Sequence, residues 1–265
     1  MYRGFKLLDI EFEDIDYFDY CVNIGKELYE SNKVLIKESL ELYTSPDDIL
    51  DGSQMEKDWF PLIKADVFIS HSHGDEIKAI AIAGWLKDRF RIKAFIDSCI
   101  WNHADKLLRI IDDKCCVNTA KTAYDYTLRN YSTSHVHMML STALSKMIDK
   151  TESLFFLETK NSTIKDGIKT KSLSPWIYSE IAISKIIQKK LPDRYDRVTM
   201  MFSDGGVMRN LNEAINITHD LDLNHLTEIN NPILQKWSEK KIYLPNLALD
   251  KLYELLPIKK TNKII

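Results

Sequence analysis

Glycine and proline are scarce in this sequence, and long apolar runs are missing. The 265 residues include only 8 glycines and 7 prolines, which argues against disorder and against a turn-rich all-β fold. Hydrophobic residues make up 45% of the chain, enough for the core of one large domain. No apolar run approaches the roughly 20 residues of a membrane-spanning helix. We therefore expect no membrane partner.

A strong charge imbalance is also missing. The 36 basic and 39 acidic residues give a formal net charge of −3, whereas nucleic-acid-binding domains are usually basic. The aromatic group formed by Tyr124, Tyr126 and Tyr131 with Arg129 resembles a base-stacking surface, but it has no basic face around it. We expect no nucleic-acid partner, and we interpret these residues as a loop over a site or as part of an interface.

The cysteines and the first residues indicate the cellular compartment of the protein. No C-x-x-C pair occurs among the four cysteines, so reduced thiols in a cytoplasmic protein are expected. The sequence turns acidic by Asp9 without an apolar segment before it, so a signal peptide is not expected. Two H-x-H pairs start at His71 and His135. Neither pair has a cysteine or carboxylate at zinc spacing, and we expect no metal.

Residues 1–62 are predicted to form a helical extension packed on the core. Apolar side chains recur at helical spacing from Ile15 to Tyr43. The stretch from Ser53 to Glu56 has the form of a capping box, which predicts a further short helix.

From Lys64 onward, strand-like and helix-like patterns alternate. Residues 65–70 and 93–97 are apolar runs joined by a helical pattern over 76–90, which predicts a βαβ unit and a parallel sheet. Further strands are predicted at 153–159 and 197–202, with a weaker edge candidate at 214–221, and further helices at 102–113, 134–149, 176–190 and 246–256. The alternation predicts an α/β domain over 63–265 with a flavodoxin-like parallel sheet and helices on both faces. A long insertion is expected at about 98–132.

Polar residues follow the predicted strands at the point where each ends. In a parallel sheet these ends lie along one edge, where α/β proteins bind ligands. Within SPWIYSEI (174–181), Ser174 and Pro175 suit the start of a helix. Trp176 and Glu180 would then share one face of that helix, near the same crevice.

The order of these motifs resembles the TIR (Toll/interleukin-1 receptor) domain family over residues 64–190. ADVFISHSHGDE is followed by KAFIDS, by a helix leading into the strand SLFFLET, and then by SPWIYSEI with its Trp-x-x-x-Glu spacing. The sequences of these motifs are most similar to those of bacterial members in anti-phage systems such as Thoeris. The Arg-Asp-x-x-Pro-Gly loop of receptor members is absent, since SCIWNHADK stands there. This departure argues against receptor-style scaffolding.

The resemblance implies an enzyme that cleaves NAD at its nicotinamide–ribose bond, with Glu180 as the catalytic carboxylate. Breaking an N-glycosidic bond builds positive charge on the ribose, as in glycoside hydrolysis, and a carboxylate stabilises that charge. NAD is then a substrate, and no cofactor is expected. The anti-phage branch implies a cyclic ADP-ribose signal for a separate effector protein, and a homo-oligomer. The residues themselves leave linear and cyclic products open.

The residues expected to contact the substrate beside Glu180 are Ser70, His71, Ser72, Asp97, Trp101 and Trp176. Each has a plainer alternative: helix capping, loop bracing, a solvated histidine or core packing. Glu180 could itself be a surface acid on an amphipathic helix. Two other functions stay open, a non-catalytic TIR interaction module and a nucleoside deoxyribosyltransferase-like enzyme.

Overall fold

The computed structural model describes residues 1–12, 14–32, 40–45, 47, 49–118, 122–166, 169–195 and 218–258. The strands are β1 (Arg3–Leu8), β2 (Val67–Ser70), β3 (Ala94–Ile96), β4 (Ser153–Glu158), β5 (Ile164–Asp166), β6 (Lys169–Ser172), β7 (His219–Asp220) and β8 (Thr227–Ile229). The α-helices are α1 (Ile15–Asn32), α2 (Gly52–Trp59), α3 (Glu76–Phe90), α4 (Ser98–Cys115), α5 (Tyr126–Lys150), α6 (Pro175–Ile186), α7 (Asn231–Ser238) and α8 (Pro245–Leu255). Short 3-10 helices cover Leu40–Tyr43 and His73–Asp75.

A five-stranded sheet in the order β3-β2-β4-β1-β8 forms the centre of the fold. All of its neighbouring strands pair in parallel. If β2, β3 and β4 are numbered 1, 2 and 3, the sheet begins with the flavodoxin order 2-1-3, and β1 takes the fourth place. The predicted α/β class with a parallel sheet is confirmed, and the architecture is consistent with a flavodoxin-like fold.

The prediction that residues 1–62 are entirely helical is wrong for Arg3–Leu8. This segment is β1, which lies inside the main sheet between β4 and β8. Phe5 and Leu7 are buried and alternate with Lys6, which is the period-2 pattern of a strand. The segment before position 62 thus contributes one strand to the same sheet as the residues after it.

The other predicted elements are confirmed in part. The strands predicted at 65–70, 93–97 and 153–159 are confirmed, as are the five helices predicted after residue 64, with shifted ends. The strand predicted at 197–202 lies outside the described residues. Residues 214–217 of the edge candidate 214–221 also lie outside the described residues. Its strand His219–Asp220 belongs to a separate antiparallel sheet, β5-β6-β7, and not to an edge of the main sheet.

The segment at 98–132 is more regular than expected. Helix α4 begins at Ser98, and α5 begins at Tyr126 because Asp125 caps it by accepting a hydrogen bond from the Leu128 backbone N–H. Outside these two helices, the described residues of this segment up to Tyr126 are 116–118 and 122–125. Asp51 likewise caps α2, in place of the predicted Ser53.

Helices cover both faces of the sheet. On one face, Trp237 of α7 stacks on Phe90 of α3 with 4.0 Å between ring centroids and meets Phe155 of β4. On the other face, α6 packs beside α5 and reaches the end of β2. None of the described helices combines the length and the apolar character that crossing a membrane requires.

Helices α1 and α3 pack together at two glycines. A Cβ atom on Gly25 would collide with the Ile80 carbonyl group, and one on Gly84 would collide with the Cys21 carbonyl group. The two backbones are thus in direct contact at these points. This close packing fixes α1 against α3, the helix that follows β2.

We expect Gly84→Ala to lower the free energy of unfolding by about 1–3 kcal/mol, because the added methyl group forces the two helices apart. Chemical denaturation measures this change. Gly52→Ala is the matched control, since a Cβ there meets open space; it should leave stability within about 1 kcal/mol of the parent. Equal effects of the two substitutions would contradict the close contact.

Candidate functional site

Helix α6 positions the proposed catalytic glutamate. Ser174 caps the helix by accepting a hydrogen bond from the Ile177 backbone N–H at 3.3 Å, and Pro175 occupies the first turn, both as predicted. Glu180 lies on the sheet-facing side and is fully buried. The alternative of a surface acid is therefore wrong.

Ser70 holds the Glu180 carboxyl group. Its hydroxyl donates a hydrogen bond to Glu180 Oε2 at 2.5 Å. Ser70 is the last residue of β2 and is paired in register with Phe156 of β4, so its side chain leaves the sheet at the carboxyl edge. Both groups are buried, and the bond joins β2 to α6.

His71 and Asp97 form a buried pair beside this bond. The Nδ1 atom of His71 lies 2.6 Å from Asp97 Oδ1. The same oxygen accepts a hydrogen bond from the Ser98 backbone N–H at 2.9 Å, so Asp97 braces the start of α4. The Trp101 ring stacks on the His71 ring, with centroids 5.3 Å apart and planes inclined by 19°.

The charges in this cluster act strongly on one another. Burial raises the pKa of Glu180 well above its usual range, and the nearby Asp97 carboxylate raises it further, against the opposing hydrogen bond from Ser70. Burial lowers the pKa of His71, but the contact with Asp97 outweighs burial and leaves that pKa above its ordinary value.

Several polar atoms of the cluster are buried without a hydrogen-bond partner among the described residues. They are both ring nitrogens of His71, of which Nδ1 nevertheless lies close to Asp97 Oδ1, together with Asp97 Oδ2, Ser98 Oγ, Trp101 Nε1 and Glu180 Oε1. Each such atom costs about 1–3 kcal/mol if it stays unsatisfied. Their concentration at one sheet edge suits a site that receives polar groups of a ligand or water.

Ser72 belongs to a second, neighbouring cluster. Its hydroxyl donates to Asp75 Oδ2 at 2.5 Å, and Asp75 also accepts hydrogen bonds from Thr159 Oγ1 at 2.5 Å and from Asn161 Nδ2 at 2.9 Å. Burial raises the pKa of Asp75, but the hydrogen bonds outweigh burial and the net pKa is lowered. Ser72 starts the 3-10 turn, but its side chain accepts no capping hydrogen bond. The cluster ties the loop after β2 to the loop after β4.

Trp176 lies one helical turn before Glu180 and is half-buried. Its ring meets His137 of α5 edge to face, with 5.6 Å between centroids. Trp176 thus packs against α5 and keeps part of its surface in solvent.

The N-terminal helix also reaches the site, which the sequence reasoning missed. The Tyr29 hydroxyl of α1 lies 3.0 Å from Glu76 Oε1 and 3.3 Å from the Ser98 carbonyl oxygen. The tyrosine thereby links the starts of α3 and α4. Tyr29 lies on the apolar face of α1, and nothing in its spacing distinguishes it from an ordinary core residue.

Two surface cavities lie away from this cluster. One, of about 480 Å³, is lined by charged residues that include Lys6, Asp220 and Glu228. The other, of about 510 Å³, is largely apolar and lies between α1, α3 and α7. Among the described residues, no group of His, Cys, Asp or Glu side chains has the arrangement of a metal site.

Comparisons of this chain with protein-family models, with curated proteins and with solved structures give no match.

We expect Asp75→Asn to lower the free energy of unfolding by about 2 kcal/mol, because three donors lose a charged acceptor. The carboxylate has a lowered pKa, so its contribution is present at neutral pH and is lost as the pH falls through its folded-state pKa. Denaturant titrations at neutral and at acidic pH measure both effects. Asp193→Asn, at an exposed loop position, is the control and should change little.

Proposed function

We propose that this chain is a TIR-type enzyme that cleaves NAD at the nicotinamide–ribose bond, with Glu180 as the catalytic carboxyl group. The observation that carries the proposal is the hydrogen bond from Ser70 to Glu180 with Asp97 beside it. These residues come from the three motifs on which the TIR resemblance rests, and Glu180 is the residue to which the resemblance assigns the catalytic role.

Cleavage of the nicotinamide–ribose bond requires little from the protein beyond one anion placed beside the ribose. As the bond from C1′ to the pyridinium nitrogen breaks, its electron pair leaves with neutral nicotinamide and positive charge builds on the ribose. An ionised Glu180 stabilises that charge. Attack by water then gives ADP-ribose and one proton, whereas attack by a nucleophile of the same molecule gives a cyclic isomer and one proton.

Access to the carboxyl group requires a structural change. Glu180 is enclosed, so ribose contact requires the displacement of side chains that cover it. The half-exposed rings of Trp101 and Trp176 flank the cluster and suit the walls of an opened pocket. Assembly into a homo-oligomer is the proposed means of opening, and the isolated chain should turn over NAD slowly.

The biological setting is part of the same proposal. By the resemblance, the product is a cyclic ADP-ribose-type signal in bacterial anti-phage defence that a separate effector protein senses. All four cysteines are free of disulfides, as in proteins of reducing compartments, which supports a cytoplasmic location.

We expect Glu180→Gln to reduce nicotinamide release by at least about a hundredfold, because the amide keeps the shape but cannot carry the stabilising charge. Chromatography of nicotinamide with mass spectrometry of the nucleotide product measures the loss and identifies the product as linear or cyclic. The parent is assayed both dilute and with a crowding agent, since assembly is part of the proposal.

Glu27→Gln is the matched control, because it makes the same substitution at an exposed position on α1 and should retain full activity. Wild-type turnover in Glu180→Gln would refute the catalytic role. No turnover by the parent under either condition would favour a non-catalytic module. Deoxynucleosides assayed in parallel test for transfer of deoxyribose.

A further inference from the structure

The carboxyl oxygens of Glu180 and Asp97 are satisfied on one side only. Glu180 Oε2 accepts from Ser70, and Asp97 Oδ1 contacts His71 and the Ser98 backbone N–H. The other two oxygens, Glu180 Oε1 and Asp97 Oδ2, are buried and meet no donor among the described residues. Each carboxyl group therefore has one oxygen that accepts no hydrogen bond from the described residues.

Adjacent residues at the end of β2 hold these two carboxyl groups near each other: Ser70 Oγ lies 2.5 Å from Glu180 Oε2, and His71 Nδ1 lies 2.6 Å from Asp97 Oδ1. Two carboxylates cannot form a hydrogen bond, because an ionised carboxylate has no proton to donate. A single proton between them satisfies both oxygens and removes the repulsion of two buried negative charges. The aspartic proteases use the same arrangement of two carboxyl groups that share one proton.

We propose that Glu180 and Asp97 share one proton in the resting protein, with protonated His71 as the counter-ion of the pair. The cluster then holds one negative and one positive charge and has no net charge, which suits a fully buried site. Asp97 and His71 are positioning residues: they set the pH at which Glu180 becomes an anion. The significance for catalysis rests on the proposed function, but the ionisation itself does not.

The other groups that face the cluster are consistent with this assignment. Ser70 from β2 donates to Glu180 and favours its anion, while Asp75 and Glu76 at the start of α3 favour the protonated form of His71. From α4, the Trp101 ring covers His71 without adding charge. From α5, His137 contacts Trp176, and burial lowers the pKa of that histidine.

Substitutions that remove charges of opposite sign should shift the ionisation of Glu180 in opposite directions. Asp97→Asn removes the competing negative charge, so Glu180 should ionise at lower pH. His71→Gln removes the positive charge, so Glu180 should ionise at higher pH. Ser70→Ala removes a hydrogen bond to the anion and should also move ionisation to higher pH, which provides a second variant if His71→Gln folds poorly.

Carbon-13 NMR of protein labelled at glutamate side-chain carboxyl carbons reads this ionisation directly, with the Glu180 signal assigned by its loss in Glu180→Gln. We expect the parent signal to titrate above the ordinary range for glutamate. In Asp97→Asn the proton affinity should fall at least about tenfold. In Ser70→Ala it should rise. An ordinary titration that Asp97→Asn leaves unchanged would overturn the shared proton.

The pH profile of NAD cleavage separates this inference from the proposed function. If both hold, kcat/KM rises with pH as the shared proton is lost to water, and Asp97→Asn moves that rise to lower pH. Opposite NMR shifts without any NAD turnover would sustain the shared proton and reject the enzyme. Turnover that depends on Glu180, together with an ordinary titration, would support the enzyme and reject the shared proton.

Discussion

Strand β2 hydrogen bonds to β3 on one side and to β4 on the other, in parallel on both sides. This pairing makes three chain segments end together at the carboxyl edge of the sheet. Ser70 ends β2, Asp97 follows β3, and the loop after β4 returns to Asp75 through Thr159 and Asn161. Glu180 comes from α6, which begins at Pro175 after β5 and β6 and brings the carboxyl group to this edge. The site is thus a consequence of strand order.

The main elements of this arrangement were accessible from sequence because they depend on patterns that local residues determine. Short apolar runs ending in polar residues identified β2, β3 and β4, and the Ser174-Pro175 pair identified the start of α6. The approach of Ser70 and Glu180 to the same sheet edge follows from these once the strands are parallel. The pairing of His71 with Asp97 does not, because it depends on side-chain directions that spacing along the chain leaves undetermined.

The errors have physical causes as well. Strand β1 was missed because Phe5 and Leu7 give only a short alternation before a long helical pattern begins. The region after α4 was expected to be irregular because its polar and aromatic residues show no clear apolar stripe, yet Asp125 starts a 25-residue helix there. The contact of Tyr29 with the starts of α3 and α4 is a tertiary feature. It gives the N-terminal helix a part in holding the site.

The interior position of β1 has a consequence for how the chain acquires its structure during synthesis. Phe5 pairs with Phe155 of β4 and with Thr227 of β8, so the partners of β1 are translated much later than β1 itself. At roughly 5–20 residues per second, β4 leaves the ribosome on the order of ten seconds after β1. Contacts of such high sequence separation form slowly. Until then β1 has no partner in the sheet, and the sheet edge that carries the site is complete only after β4 has been made.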